Sequence, residues 1–290
     1  MTVPDDVERS QRTQSAFSTD DPKIAQTHNF VIFGPHRMRL REETEIFHEE
    51  DKNIRWGSID VHRLSFGVPV EIFAENESAA DCYTIILPLR HEIAYSMRGG
   101  EAARNEIWIA QPRRSGIVIN PGIPARTIWP KEARALVLRI PGSSLASQLR
   151  AVLLDSAPAT DLRFDPLIDL QASGGTWQNI ALSFVELTDY MPNLIAAPRI
   201  AASIERALLS TLLASTEHNL TNQLRRHGAV ELPHSLRHVL SFIHSDPARP
   251  TSVSDLAEAA HMSVRSLQEA FARYFHVSPM EYLRRIRLWH

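Results

Sequence analysis

The stretch from Thr251 to Leu288 constrains this chain most, because capping residues and apolar stripes recur there in a fixed order. Ser252 precedes Val253, and Asp255 stands three residues beyond Ser252. That is the spacing of a capping box, in which hydroxyl and carboxylate each take an orphan backbone N–H. Leu256, Ala257 and Ala260 follow at helical spacing and give a short helix one apolar face. The two alanines are small enough for a second helix to cross closely. After the connection His261-Met262, Ser263 is placed to cap a longer helix. Val264, Leu267, Phe271 and Phe275 form its buried stripe, and Arg265, Ser266, Gln268, Glu269 and Arg273 lie off it. Ser278 and Pro279 open a further helix, with proline at the first position, where its missing N–H costs nothing. Tyr282, Leu283 and Ile286 continue an apolar face opposite Arg284, Arg285 and Arg287. A helix over Pro233–Asp246 comes first. The order predicts a helix-turn-helix, whose second helix can enter a DNA major groove.

These residues carry a resemblance. Residues 233–288 are similar to the first DNA-binding subdomain of AraC/XylS-type transcription regulators. The runs that match are Ser252-Val-Ser-Asp-Leu-Ala257, Met262-Ser-Val-Arg-Ser-Leu-Gln-Glu-Ala-Phe271 and Val277-Ser-Pro-Met-Glu-Tyr-Leu-Arg-Arg-Ile-Arg-Leu288. His276 stands where the family usually has glycine. The resemblance implies that Arg265, Gln268 and Glu269 read bases: Arg suits guanine, Gln suits adenine, and Glu can accept from cytosine. Ser266 and Arg273 are better placed for phosphates. The alternative is that all five form a solvated helix face, with Glu269 paired to Arg265 or Arg273 four residues away. Family members carry two such subdomains. Here the similarity covers one and part of the linking helix, so a truncated product or a fragment of a longer gene is expected. Residues 233–290 hold seven Arg against five Asp or Glu, a net of +2, and weak, salt-sensitive DNA affinity is expected.

Composition sets outer bounds. A chain of 290 residues should hold more than one domain. Its net charge of −3 and pI near 6.5 do not announce nucleic-acid binding, so that inference rests on the motif. Cys82 is the only cysteine, which excludes a disulfide within the chain and suggests a buried reduced thiol. No secretory leader pattern and no long uncharged apolar run occur, so a cytoplasmic protein away from membranes is expected.

Upstream, short apolar runs alternate with turn residues: Asp60–Phe66, Val68–Phe73, Cys82–Leu89, Glu92–Met97, Glu106–Ala110, Ser115–Gly122 and Ala133–Ile140. Regular spacing of such runs reads as an antiparallel sandwich or barrel, with turns at Arg98-Gly-Gly100 and Asn120-Pro-Gly122. The polar first 25 residues read as a mobile tail. This region resembles the cupin-like sensory domain of the same regulator family on Phe33–Leu40, Leu64–Val70, Ile86–Arg90 and Val118–Gly122. Metal-binding cupins use a His-x-His pair, a Glu and a later His. Here His91 stands alone, and Pro124-Ala125-Arg126 occupies the place of the later His. The expectation is therefore no metal, no cofactor and no enzymatic activity, but a receptor for a small aromatic or anionic effector. Arg90, Tyr95, Trp108 and Arg126 could supply an aromatic wall and a carboxylate clamp. The alternatives are that Trp108 is core and that both arginines face water.

After Pro141 the pattern turns helical, with stripes Ile180-Phe184-Leu187 and Ile200-Ile204-Leu208-Leu209-Leu212. The expected organisation is a tail (1–25), a cupin-like domain (26–142), a helical dimerisation region (143–225), a linker (226–232) and a helix-turn-helix domain (233–290). The fold class is α+β: a cupin-like antiparallel barrel or sandwich with a helical region, then an all-α domain. The resemblance implies a homodimer that binds double-stranded promoter DNA and a small effector, and meets RNA polymerase in the intact protein. Two rivals remain: a cupin enzyme, and a ligand-binding or dimerisation module that does not bind DNA.

Overall fold

In a computed structural model, residues 14–41, 46–74, 81–97, 106–153, 161–195, 197–229, 233–245, 249–275 and 277–288 are described. They fall into two compact units, residues 1–149 with 161–221 and residues 150–160 with 222–290.

In chain order the first unit contains β1 (Gln14–Thr19), α1 (Pro22–Phe33), β2 (His36–Leu40), β3 (Glu49–Trp56), β4 (Ile59–Phe66), β5 (Val70–Ala74) and β6 (Cys82–Arg90). Then come β7 (Ile93–Met97), β8 (Ile107–Ala110), β9 (Ser115–Ile119), β10 (Ala125–Trp129), β11 (Ala133–Pro141) and α2 (Gly142–Leu153), whose residues from Arg150 onward count with the second unit. They are followed by β12 (Leu167–Asp169), α3 (Ser173–Tyr190), α4 (Pro192–Ile195) and α5 (Pro198–Ser215). The strands form two antiparallel sheets, one ordered β1-β3-β4-β11-β6-β9-β12 and the other β2-β5-β10-β7-β8. Each of the seven expected runs contains a strand, though Val68-Pro69 and Asn120–Gly122 lie outside β5 and β9. At the centre of the larger sheet, Leu136, Val137 and Leu138 of β11 are buried in succession, the mark of a strand covered on both faces. The core lies between the sheets, where Phe66 meets Trp129 edge-on with ring centroids 5.4 Å apart.

Helices cover the larger sheet. The Trp56 indole N–H donates to Thr188 Oγ1 at 3.1 Å, which ties β3 to α3. The Trp177 indole donates to the Leu208 carbonyl at 3.1 Å, which ties α3 to α5. The Glu205 carboxylate takes the backbone N–H of Ser58 at 3.2 Å and also its hydroxyl, which fixes α5 to the β3–β4 turn.

Several expectations need correction. The first 25 residues are not all tail: Gln14–Thr19 pairs with Glu49–Ile54 of β3, and α1 begins at Pro22. The expected helical region contains β12, which pairs with β9. The expected linker is entered by α6 (Thr221–Ala229), while 230–232 lie outside the described residues, as do the first 13 residues, the Arg98–Gly100 turn and His276. On α3 the buried line is Trp177, Ala181, Val185 and Thr188, and Leu187 is exposed. Small Ala181 and hydrogen-bonded Thr188 pack where the larger aliphatic residues were expected. On α5, Ile204, Leu208, Leu209 and Leu212 are buried as expected, but Ile200 is exposed.

The second unit holds α7 (His234–Ser245), α8 (Val253–Ala259), α9 (Val264–Phe275) and α10 (Pro279–Leu288). Their shared core includes Leu236, Val239, Leu256, Leu267, Phe271 and Tyr282. The expected capping box is complete: Asp255 N–H donates to Ser252 Oγ at 3.2 Å, and Ser252 N–H donates to Asp255 Oδ2 at 2.7 Å. That contact holds the exposed Asp255 carboxyl below its usual range. Between α8 and α9 the chain turns at His261, with φ at 53°. This left-handed conformation is one that glycine or asparagine adopts more readily. No helix among the described residues is long and apolar enough to cross a membrane.

Candidate functional site

A cavity, partly open to solvent, lies between the two sheets of the first unit. Its walls are mainly apolar, from Phe33 on α1, Leu64 on β4, Ile72 on β5, Ile86 on β6, Trp129 on β10 and Val137 on β11. Polar groups enter from Asn29, His36, Thr84, Asn120 and Thr127, and the Cys82 thiol also borders the space. The described lining contains no Lys, Arg, Asp or Glu.

Helix α1 forms one wall, and local chemistry explains its seat. Asp21 caps it by accepting the Lys23 N–H at 2.7 Å, Pro22 takes an early helical position, and Gly34 ends it at φ 81°. Gln26 bridges to β2, donating to the His36 carbonyl at 2.8 Å and accepting the Met38 N–H at 2.6 Å. The Arg139 guanidinium donates to the Ile32 carbonyl and lies over the Phe33 ring.

Beneath α1 sits a buried polar cluster on β3 and β4. Asp51 accepts from His28 at 3.2 Å and from His62 Nδ1 at 3.0 Å. Burial pushes the Asp51 carboxyl up, but the hydrogen bonds and charge of the two histidines outweigh it and leave its pKa below the usual value. Glu49 is fully buried, and Asn29 Nδ2 donates to its Oε2 at 3.0 Å. Burial dominates there, opposed by the Asn29 hydrogen bond and helped by the negative Asp51, so the Glu49 pKa rises to about 8. Asn29 Oδ1 and Glu49 Oε1 are buried without a hydrogen-bond partner. His36 Nδ1 faces the Gly34 carbonyl at 2.8 Å, and burial lowers its pKa against that hydrogen bond, so the ring is neutral near pH 7. Among the described residues no group of three or more His, Cys, Asp or Glu is arranged to hold a metal ion.

The four residues expected around a ligand do not line this cavity. Arg90 sits at the surface and pairs with Glu132 at 2.7 Å. Arg126 lies on β10 between inward-facing Ala125 and Thr127, so its side chain leaves by the opposite face and pairs with Glu71. Tyr95 is buried and stacks on Trp108, with centroids 5.4 Å apart, so both belong to core packing. Burial raises the Tyr95 pKa. The residues that do line the cavity come from many strands, and only the short Ala125–Trp129 alternation hinted at an inward face.

In the second unit Leu267, Phe271 and Phe275 of α9 are buried, while Arg265, Ser266, Gln268, Glu269 and Arg273 are exposed. Ser263 caps the helix, accepting the Ser266 N–H at 3.0 Å, and the two serine hydroxyls lie 2.8 Å apart. Arg265 Nε reaches Glu269 Oε1 at 3.0 Å across one helical turn. The guanidinium of Arg273 lies over the Tyr274 ring at 5.5 Å. The helix therefore offers one polar face with a serine cap and a solvent-exposed ion pair.

A double antiparallel sheet with an internal cavity, followed by a helix-turn-helix core, is the layout of a sensor joined to a DNA-binding module. Residues 30–214 match the AraC-binding-like domain family, and the chain belongs to that family. It is 27% identical to the probable thc operon regulatory protein of Rhodococcus erythropolis over 98% of this chain and 83% of that protein. It is 23% identical to XylDLEGF operon transcriptional activator 1 of Pseudomonas putida over 80% of this chain and 67% of that one. The crystal structure of the AraC-like transcriptional activator CuxR shares the fold at 15% identity, with a TM-score of 0.51, over 95% of this chain and 94% of that chain. Its relatives are thus transcription regulators of the AraC/XylS type.

Proposed function

We propose that the chain is a transcription regulator in which a small effector enters the inter-sheet cavity and α9 enters the DNA major groove. The observation that carries this is α9 itself, whose apolar stripe is buried while Arg265, Gln268 and Glu269 stand exposed on the opposite face. In this proposal those three read bases, and Ser266 and Arg273 hold phosphates. Arg265 leaves its ion pair with Glu269 readily, because an exposed pair of that kind contributes little stability. The effector biases an equilibrium between arrangements of the DNA-binding units. The proposal includes a cytoplasmic homodimer that meets RNA polymerase when DNA-bound, with no enzymatic activity of its own. Exposed Tyr190 and Met191 near the end of α3 favour a contact between copies there.

The test is selection of duplexes from a random pool, then titration of selected and scrambled duplexes at low salt. Arg265→Ala and Gln268→Ala should each weaken binding to the selected duplex by about 1–3 kcal/mol and spare the scrambled one. Equal losses on both would restrict these side chains to phosphate contacts. A pool that yields no enriched duplex would overturn the proposal.

A further inference from the structure

Helix α1 carries its amphipathy reversed. Gln26, His28 and Asn29 reach inward to β2 and β3, while Ile24, Phe30 and Val31 are between 50% and 67% exposed. A surface helix ordinarily buries its apolar stripe. Here Ala25 and Phe33 supply the apolar contact with the core between the sheets. The remaining hold is largely polar: Gln26 on β2, His28 on Asp51, Asn29 on Glu49, and the Arg139 guanidinium on the Ile32 carbonyl. His28 also stacks on Phe17 of β1, with centroids 3.6 Å apart. The helix joins β1 of the larger sheet to β2 of the smaller through Asp20-Asp21 and Gly34-Pro35, and it forms a cavity wall through Asn29 and Phe33. An element with so little apolar adhesion belongs to the part of a fold that opens first. Its seat is also ionisable. Glu49 is fully buried, accepts from Asn29 at Oε2, and has no partner at Oε1. The ionisable groups packed around it are Asp51 on its own strand, His28 on α1 and His62 on β4, and both histidines are committed to Asp51. Its register neighbours Thr19 on β1 and Phe66 on β4 bring no charge, and adjacent His48 and Glu50 are exposed, with His48 pairing to Asp20.

We propose that α1 is a strap over the cavity that opens separately from the sheets, and that loss of the Glu49 proton releases it. The inference concerns the first unit alone and does not rest on DNA binding. Ionised Glu49 would be a second buried carboxylate beside Asp51, and opening the strap lets water reach it. Seated, Glu49 keeps its proton to about pH 8; with the strap open it titrates near 4.5. Below 4.5 both states hold the proton and the seat is at full strength. Between 4.5 and 8 only the seated state holds it, so opening releases a proton and becomes about tenfold more frequent per pH unit. Asp51, held below 3.8, stays ionised across this window.

The test is amide hydrogen exchange of the intact protein from pH 5 to 8, with each rate referred to that of an unprotected amide at the same pH. Amides of α1 should exchange through an opening at least tenfold more frequent than that of β4, β6 and β11 at every pH. That opening should rise by about tenfold per pH unit. In Glu49→Gln α1 should remain less protected than the strands, but its opening should no longer follow pH. His28, His62 and Arg139 are present in both proteins, so whatever they contribute cancels in the comparison. Exchange of α1 in step with the strands, or an α1 opening indifferent to pH, would overturn the proposal on the unaltered protein alone, whether or not the variant folds. A slope that persists in Glu49→Gln would overturn it as well.

Discussion

Glu49→Gln is expected to remove a loss of stability that the unaltered protein suffers as pH rises from 5 to 8. Glu49 is fully buried and its pKa is raised to about 8, against 4.5 when exposed. Below 4.5 both folded and unfolded chains hold the proton. Between 4.5 and 8 only the folded chain holds it, so unfolding releases a proton and rising pH favours the unfolded state. The slope is about 1.4 kcal/mol per pH unit, which gives on the order of 4 kcal/mol between pH 5 and 8. Glutamine keeps an oxygen for Asn29 Nδ2 and does not titrate. Denaturant unfolding of both proteins across this range should give curves that diverge as pH rises, with the variant more stable at pH 8. The lowered pKa of Asp51 makes its contribution fall away only in acid, below 3.8, outside the window. The lowered pKa of His36 acts in the opposite sense, adding stability as pH approaches 6.5, and is common to both proteins. Parallel curves would mean that Glu49 titrates as an ordinary carboxyl.

The second large effect is expected from Phe271→Ala. Phe271 is fully buried, with its ring 4.9 Å from that of Phe275 and 5.7 Å from that of Tyr282. Removing it deletes the centre of a small helical core, at a cost of about 3–5 kcal/mol. Against a typical stability of roughly 5–15 kcal/mol for a domain, that leaves the helix-turn-helix marginal. Hydrogen exchange should show protection lost across α7–α10 and kept in β4, β6 and β11, and binding to selected duplexes should fall sharply on mild warming. Protection lost equally in the strands, or a change below about 1 kcal/mol, would be incompatible with this core.

The helix-turn-helix was legible because independent cues agreed at Ser252, Ser263, Leu267, Phe271 and Ser278. Capping depends on side chains within three residues of one another, so the sequence displays it directly. β3 was not legible. Its inward positions include Glu49 and Asp51, so the alternation that marks a half-buried strand is written in carboxylates and reads as a polar loop. Helix α1 was hidden in the same way, because its docking partners are that buried cluster. The cavity was illegible for a different reason. Arg126 and Thr127 are neighbours in sequence but face opposite sides of β10, so a shift of one residue exchanges the wall for the surface.

The ordering of the larger sheet bears on how the chain is made. Its outer strands are β1, from residues 14–19, and β12, from residues 167–169, so the first and the last described strands close opposite ends of one sheet. During synthesis β9 has no outer neighbour until Leu167–Asp169 has left the ribosome. Until then the growing sheet presents an open row of backbone groups, the kind of edge along which chains associate. The last strand, three residues long, therefore leaves the finished sheet with a shorter outer edge on that side than β9 alone would present.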